Sequence, residues 1–344
     1  MAPERRGARV TEQDAFAPGL RRFGAMSLPH RPLGASGLEV SVLSLGSWRT
    51  YERIPRAQGT AVLDAAHEAG IDFLEVARYD DETGRAPIPT GYSEVVFGEA
   101  FAASAYAARR HEIVVAEKLW WEFWPQQDAA RELDASLERT GLDRVDLLYS
   151  DPPPADLPLT EVVGQITGLI EDGRIRAWGI VNWPAARIAE AGRIARDRGV
   201  PTPCIAQLPY SLVDREQVEG AEMVAALELC EPSVTASFTL AGGLLTGKYA
   251  DPAAPGRMAK EKDDPRWAPA LQAASDLRAL AGELDTTPAA LAIAFALANP
   301  TVATVLFGAT RPEQIAENAA AVALLDRLDE PTLARLRAIG AARS

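Results

Sequence analysis

Residues 145–182 read VDLLYSDPPPADLPLTEVVGQITGLIEDGRIRAWGIVN. The apolar run Leu147, Leu148 and Tyr149 predicts a buried strand. Pro152, Pro153 and Pro154 have no backbone N–H and cannot extend a ladder, so the strand stops there and Asp151 sits on the lip where it opens into a loop. LTEVVGQITGLIEDG then carries apolar residues at helical spacing and closes on Gly173, as a helix C-terminus does. AWGIVN is again an apolar strand run. One strand, one helix and a second strand in immediate succession make a parallel crossover unit.

The same alternation runs outward in both directions. Strand-like runs are VSVLSLG, FLEVA, IVVAEK, VDLLYSD, AWGIVN, CIAQLPY, SVTASFTL and TVLFG. Helical stretches such as TAVLDAAHEAG, QQDAARELDASLERTG and AARIAEAGRIARDRG separate them, several beginning near Ser, Thr, Asp or Pro and ending at Gly. Eight such runs predict an α/β fold, an all-parallel sheet closed as a (β/α)8 TIM barrel. RPLGASGLEV, with its Gly34 and Gly37 turn, predicts an N-terminal hairpin plugging the barrel floor. The Ala-rich stretch from Pro331 predicts a C-terminal helix. Residues 1–30 are expected to be a mobile extension and 31–344 the barrel domain, with no second domain.

Bulk composition excludes several functions. A net charge of −13 over 344 residues argues against a nucleic-acid partner, since a phosphate backbone rewards clustered Lys and Arg. No apolar run approaches the roughly 20 residues a membrane helix needs, and the N-terminus lacks the apolar core of a signal peptide. Cys204 and Cys230 form no CxxC pair, which fits a reducing cytoplasm. His30, His67 and His111 match no metal spacing, so neither a metal nor histidine chemistry is expected. A small-molecule substrate is the expected partner; nothing specifies an oligomeric state.

Barrels of this kind build their sites at the C-terminal ends of the strands. Here those ends bring Ser47, Trp48, Glu75 to Tyr79, Lys118, Asp151, Asn182, Gln207, the segment after Phe238, and Gly308 onward. A buried Lys118 needs a counter-charge, and Glu75 is the natural one. Tyr79 beside that ammonium is expected to have its phenol pKa lowered, suiting proton transfer. Trp120, Trp121 and Trp124 crowd the next loop, either as walls of an apolar substrate pocket or as satellite core.

Four segments, RPLGASGLEVSVLSLGSW, GYSEVVFGEAF, GGLLTGKY and FGATRPEQIAEN, together resemble the aldo-keto reductases, in particular the bacterial and potassium-channel-β-subunit-like branch. The resemblance runs from Arg31 to about Asn318. It implies hydride transfer from NADP(H) to a carbonyl, with Tyr79 as proton donor and Lys118 and Glu75 tuning it. Tyr79 stands one residue closer to the preceding acid than that pattern has it, and Tyr92 is the rival. The resemblance also implies that Asn182 and Gln207 hold the nicotinamide carboxamide. Ser47, Trp48, Ser237, Phe238, Thr239, Leu240, Gly242 and Lys248 then line the nicotinamide and pyrophosphate, with Arg257 reaching in. Gly308, Thr310, Gln314, Glu317 and Asn318 grip the adenosine end, where Thr310, Arg311 and Gln314 favour a 2′-phosphate. Neither GxGxxG nor GxxxxGK[ST] is present.

Glu75 replaces that pattern's aspartate, Val181 its serine beside the asparagine, and Ser237 its stacking aromatic. Asp151 stands where it has histidine. A protonated Asp151 donates a hydrogen bond to a carbonyl oxygen, as steroid double-bond reductases of that fold do with glutamate; an ionised one binds a cation or acts as a base. Three functions follow as expectations. They are an NADPH-dependent reduction of a carbonyl or activated C=C bond, a redox-neutral lyase, dehydratase or isomerase reaction on the same barrel, and a non-catalytic NADPH-binding subunit.

Overall fold

A computed structural model describes residues 28–81, 83–84 and 86–341. Eight strands close into a barrel in which every neighbouring pair is parallel. Two short strands precede them, β1 (His30–Pro32) and β2 (Glu39–Ser41). The barrel strands are β3 (Leu43–Gly46), β4 (Phe73–Glu75), β5 (Val114–Leu119), β6 (Leu147–Ser150), β7 (Ala177–Val181), β8 (Ile205–Pro209), β9 (Ser233–Ser237) and β10 (Val302–Phe307). Around them lie α1 (Arg56–Glu68), α2 (Tyr92–Ala102), α3 (Ala129–Thr140), α4 (Leu159–Glu171), α5 (Ala185–Arg198), α6 (Glu216–Glu219) and α7 (Ala221–Cys230). The last four are α8 (Ala268–Glu283), α9 (Pro288–Leu297), α10 (Pro312–Ala319) and α11 (Glu330–Ala341). The barrel, the plug and the final helix are thus all where the sequence pattern predicts them.

Pairing in β1–β2 is antiparallel, with Arg31 opposite Val40. Leu33, Leu38 and Val40 of the hairpin form one cluster with Phe73, Val114 and Ile205, residues that open their strands, so the plug seals the N-terminal end of the barrel. Gly34 turns there with φ +49°, and a Cβ on it would meet the Cys204 carbonyl oxygen at 2.8 Å. Asp72 ties the plug down: its Oδ1 accepts from the Ser41 amide at 2.7 Å, and its Oδ2 lies 2.8 Å from His30 Nε2. The folded domain therefore starts before Arg31, since His30 is in β1 and Leu28 is buried in the core. Residues 1–27, most of the expected extension, lie outside the described residues.

Side chains on a strand alternate between the barrel interior and the helix layer. Phe73, Val114, Ala116, Leu147, Tyr149, Ala177 and Val181 face inward, while Leu74, Val115, Leu148 and Ile180 pack under the helices. Continuing that alternation sets Glu75, Lys118, Asp151 and Gln207 inward at the C-terminal rim. A one-residue slip in any of these strands would send its polar residue into the helix layer instead. Among the described residues no single helix is long and apolar enough to cross a membrane. The most apolar, α9, is buried throughout from Ala290 to Leu297.

Candidate active site

At the rim, β4 and β5 bring three groups together. Lys118 Nζ lies 2.6 Å from Glu75 Oε1 and donates to the Tyr79 phenol oxygen at 2.5 Å. Tyr79 in turn donates to Glu75 Oε1 at 2.7 Å. Gly46 leaves room for the longer acid, because a Cβ there would meet Glu75 Oε2 at 2.9 Å. Ser93, in the first turn of α2, fixes the phenol's backbone by accepting from the Tyr79 amide at 2.9 Å and donating to Ala77 O at 2.7 Å. Tyr92 is elsewhere: its hydroxyl accepts from Arg56 Nη2 at 2.9 Å, and the guanidinium covers its ring.

Electrostatics reverse one expectation. The Tyr79 phenol is held well above its usual pKa, first by burial, then by the charge and hydrogen bond of Glu75, with Glu117 and Asp151 adding to it. The expected lowering beside Lys118 does not prevail, because burial disfavours the phenolate and the nearby acids add to that. Tyr79 is therefore a group that keeps its proton until a substrate draws it off.

Asp151 emerges from β6 half-buried, its amide bonded to Leu119 O at 2.9 Å. Burial pushes its carboxyl up to about 6, opposed by the Lys118 ammonium. Trp183 Nε1 and Trp121 Nε1 fix the strand end beneath it by donating to Ser150 O at 2.8 Å and Ser150 Oγ at 2.9 Å. Trp121 is thus core, fully buried, and Trp124 packs half-buried against the same core. Of the three tryptophans, Trp120 meets the site: its ring stands edge-on to Tyr79, 5.6 Å between centroids, and its buried Nε1 finds no acceptor among the described residues.

Two other residues near Tyr79 received no role in the sequence reading, Arg78 within the stretch Glu75 to Tyr79 and Glu117. Arg78 pairs with Glu122, donates to Thr90 Oγ1 at 2.6 Å and covers the Phe123 ring, stapling the insertion after Tyr79 to the loop after β5. Behind β5, Glu117 is wholly buried and pushed well above the usual carboxylate range, by burial and then by Glu94. Its Oε1 accepts from the Lys118 amide at 2.9 Å, and its Oε2 has no partner among the described residues. A charged residue inside an apolar strand run was the available signal for Glu117. For Arg78 there was none, because its partners are distant in sequence.

The remaining rim fits a dinucleotide. Gln207 Oε1 and Ser47 Oγ are buried without hydrogen-bond partners among the described residues, the condition of groups that await a ligand. Asn182 ends β7 exposed and left-handed, with φ 55°. Ser237 ends β9 half-buried, and after it Phe238, Ala241, Gly242 and Gly243 all take positive φ. These turns flank Thr239 and Leu240, and the Ala241 and Gly243 amides close them by donating to Phe238 O at 2.7 Å and Leu240 O at 2.9 Å. Lys248 runs over this loop: Cβ atoms on Gly243 and Gly256 would meet its Nζ at 3.5 and 2.4 Å. Its pKa is lowered by desolvation and then by Arg311 and Arg257, so three cations converge. Arg257 also donates to Trp48 O at 2.9 Å and lies over the Trp48 ring. A Cβ on the exposed Gly308 would meet Thr50 Oγ1 at 3.1 Å. Across the rim, Gln314 Oε1 accepts from the Thr310 and Arg311 amides at 2.8 and 3.1 Å, while Asn318 is buried and Glu317 exposed on α10.

This barrel, with a Tyr–Lys–Glu contact at its C-terminal rim, belongs to the aldo/keto reductase family, whose model matches residues 42–341. That family is one of NAD(P)-dependent oxidoreductases. Among curated proteins the chain is 30% identical over 340 residues to a putative voltage-gated potassium channel subunit beta of Schizosaccharomyces pombe, covering 93% of this chain and 96% of the relative. It is 31% and 30% identical over 332 residues to probable voltage-gated potassium channel subunits beta of Oryza sativa subsp. japonica and Arabidopsis thaliana, covering 91% of this chain and 96% of each relative.

Proposed function

We propose that this chain is an NADPH-dependent reductase of a carbonyl or activated C=C bond in a small organic substrate. The observation that carries the reading is the shared contact of Tyr79, Lys118 and Glu75 on the inner register of β4, β5 and the loop that follows β4. When bound, the nicotinamide supplies the hydride. Tyr79 gives the proton to the reacting oxygen, and Lys118 stabilises the phenolate left behind. Glu75 holds both groups in place while the pocket is empty of substrate. Gln207 and Asn182 orient the carboxamide, and Trp120 shields the reacting centre from water. Convergence of Lys248, Arg257 and Arg311 supports a phosphorylated adenosine, hence NADP(H) over NAD(H).

Cys204 and Cys230 are buried free thiols, which supports a cytoplasmic setting. The names of the relatives favour a second reading, in which the chain also serves as a cofactor-binding subunit of a membrane channel. Following NADPH absorbance with a panel of aromatic aldehydes and enones tests the first reading. Turnover by the intact chain but not by Tyr79→Phe supports it, and NADPH binding with no turnover of any acceptor favours the second.

A further inference from the structure

The sign of the charge in the pocket bears on what it reduces. Glu75 and Lys118 neutralise one another across 2.6 Å. Asp151 then stands half-buried at the same rim, directly after β6, and the cation that acts on it, Lys118, is already shared between Glu75 and Tyr79. Reducing a carbonyl builds negative charge on oxygen beside these groups, which they oppose; reducing a positively charged C=N bond discharges a cation, which they favour. Trp120, edge-on to Tyr79, adds an aromatic surface of the kind that attracts cations.

The geometry points to a cationic C=N acceptor, a protonated imine or iminium ion, as the preferred substrate, with the Asp151 carboxylate paired to its nitrogen. The inference rests on the reductase reading above for its chemistry, but not for its binding. A hydride from the reduced nicotinamide adds to the iminium carbon, the C=N π pair moves to nitrogen, and the products are a neutral amine and oxidised cofactor. The amine then takes a proton from solvent. Among the described residues, the titratable groups that interact with Asp151 are Lys118 from β5 and Tyr79 from the loop after β4. Its carboxyl, at about 6, is mostly ionised at neutral pH.

Two measurements on the full chain test this. Calorimetry compares the unreactive cation N,N-dimethyl-1,2,3,4-tetrahydroisoquinolinium with neutral α-tetralone, in the presence of NADP+. NADPH oxidation compares N-methyl-3,4-dihydroisoquinolinium with α-tetralone. We expect the cation to bind at least about tenfold tighter than the ketone, as a charge-assisted contact gives. The iminium should be reduced with the higher kcat/KM. Asp151→Asn should lower the iminium-to-ketone ratio about tenfold or more, and Asp151→Glu, which keeps the charge, should preserve the preference. Equal binding of cation and ketone overturns the inference, as does a ratio unmoved by Asp151→Asn. Asp151-dependent cation binding without turnover of either compound would retain the cation site and sink the reductase reading instead.

Discussion

Tyr79 donates its phenol proton to Oε1 of Glu75, only four residues earlier in the chain, at 2.7 Å. Where the resemblance read from the sequence has a shorter acid and one more residue before the tyrosine, the carboxylate and phenol here still meet within hydrogen-bonding distance. The longer acid reaches back under the rim to a tyrosine that arrives one residue early.

Shortening the acid should therefore break the contact. Glu75→Asp is expected to cost about tenfold or more in kcat, because the carboxylate no longer holds both Lys118 and Tyr79. Glu75→Gln leaves a buried ammonium without its counter-charge, for which removal of one partner typically costs about 3–5 kcal/mol. Thermal unfolding checks it, and an unchanged Tm in Glu75→Gln would show that Lys118 finds its charge balance elsewhere.

The two tyrosines separate cleanly. Tyr79→Phe should lower carbonyl-reducing kcat about 100-fold or more with NADPH affinity unchanged, as the loss of a general acid does. Tyr92→Phe removes only a surface contact to Arg56 and should leave kcat within about twofold of wild type. The reverse pattern in single-turnover assays would mean that the insertion after Tyr79 rearranges on substrate binding.

The eight barrel strands were legible because strands buried on both faces read as unbroken apolar runs between helical stretches. Lys118 and Asp151 were legible for the opposite reason: each is a charge at the end of such a run. The sign of the Tyr79 shift was not. It depends first on how completely the folded rim buries the phenol and then on Glu75, with Glu117 and Asp151 adding to it, and no local pattern reports burial across a barrel. Trp121 and Trp120 are adjacent in sequence yet diverge into core and site, because Trp121 takes a left-handed turn with φ 58°. The Arg78 staple joins segments that only the fold brings together.

Cofactor choice should follow the cation trio. Lys248→Ala is expected to weaken both NADPH and NADH. Arg311→Ala should weaken NADPH about tenfold and leave NADH nearly unchanged, as the loss of a charged contact to one phosphate does. Fluorescence titration of both cofactors decides it; equal losses for the two would place Arg311 away from the distinguishing phosphate.

At the barrel floor, His30 carries a raised pKa, chiefly through its hydrogen bond to Asp72. Its folded value lies above its unfolded one. The stabilisation is therefore complete below about 6.5 and is lost as pH rises through the folded value. His30→Gln should remove this dependence, so wild type and variant should differ in Tm at pH 6 and draw together as pH rises through the folded value. Parallel Tm curves across that range would separate the plug from the His30–Asp72 pair.

Asp151 should burden the fold it serves. Its carboxyl rises from an ordinary 3.8 to about 6 on folding. The folded protein thus binds a proton that the unfolded chain has already released. At pH below about 4 the acid is protonated in both states and there is no penalty. Between those values the penalty grows, and above about 6 it is fully present, at most about 3 kcal/mol before solvent screening reduces it. Asp151→Asn, similar in volume and uncharged, should raise Tm at pH 8 and leave it unchanged near pH 4. Such a gain accompanied by lost selectivity for cations would mark Asp151 as an acid held against stability for the sake of function. Without a gain at pH 8, the carboxylate must already be solvated at the rim, and its place before Pro152 is that of a turn residue.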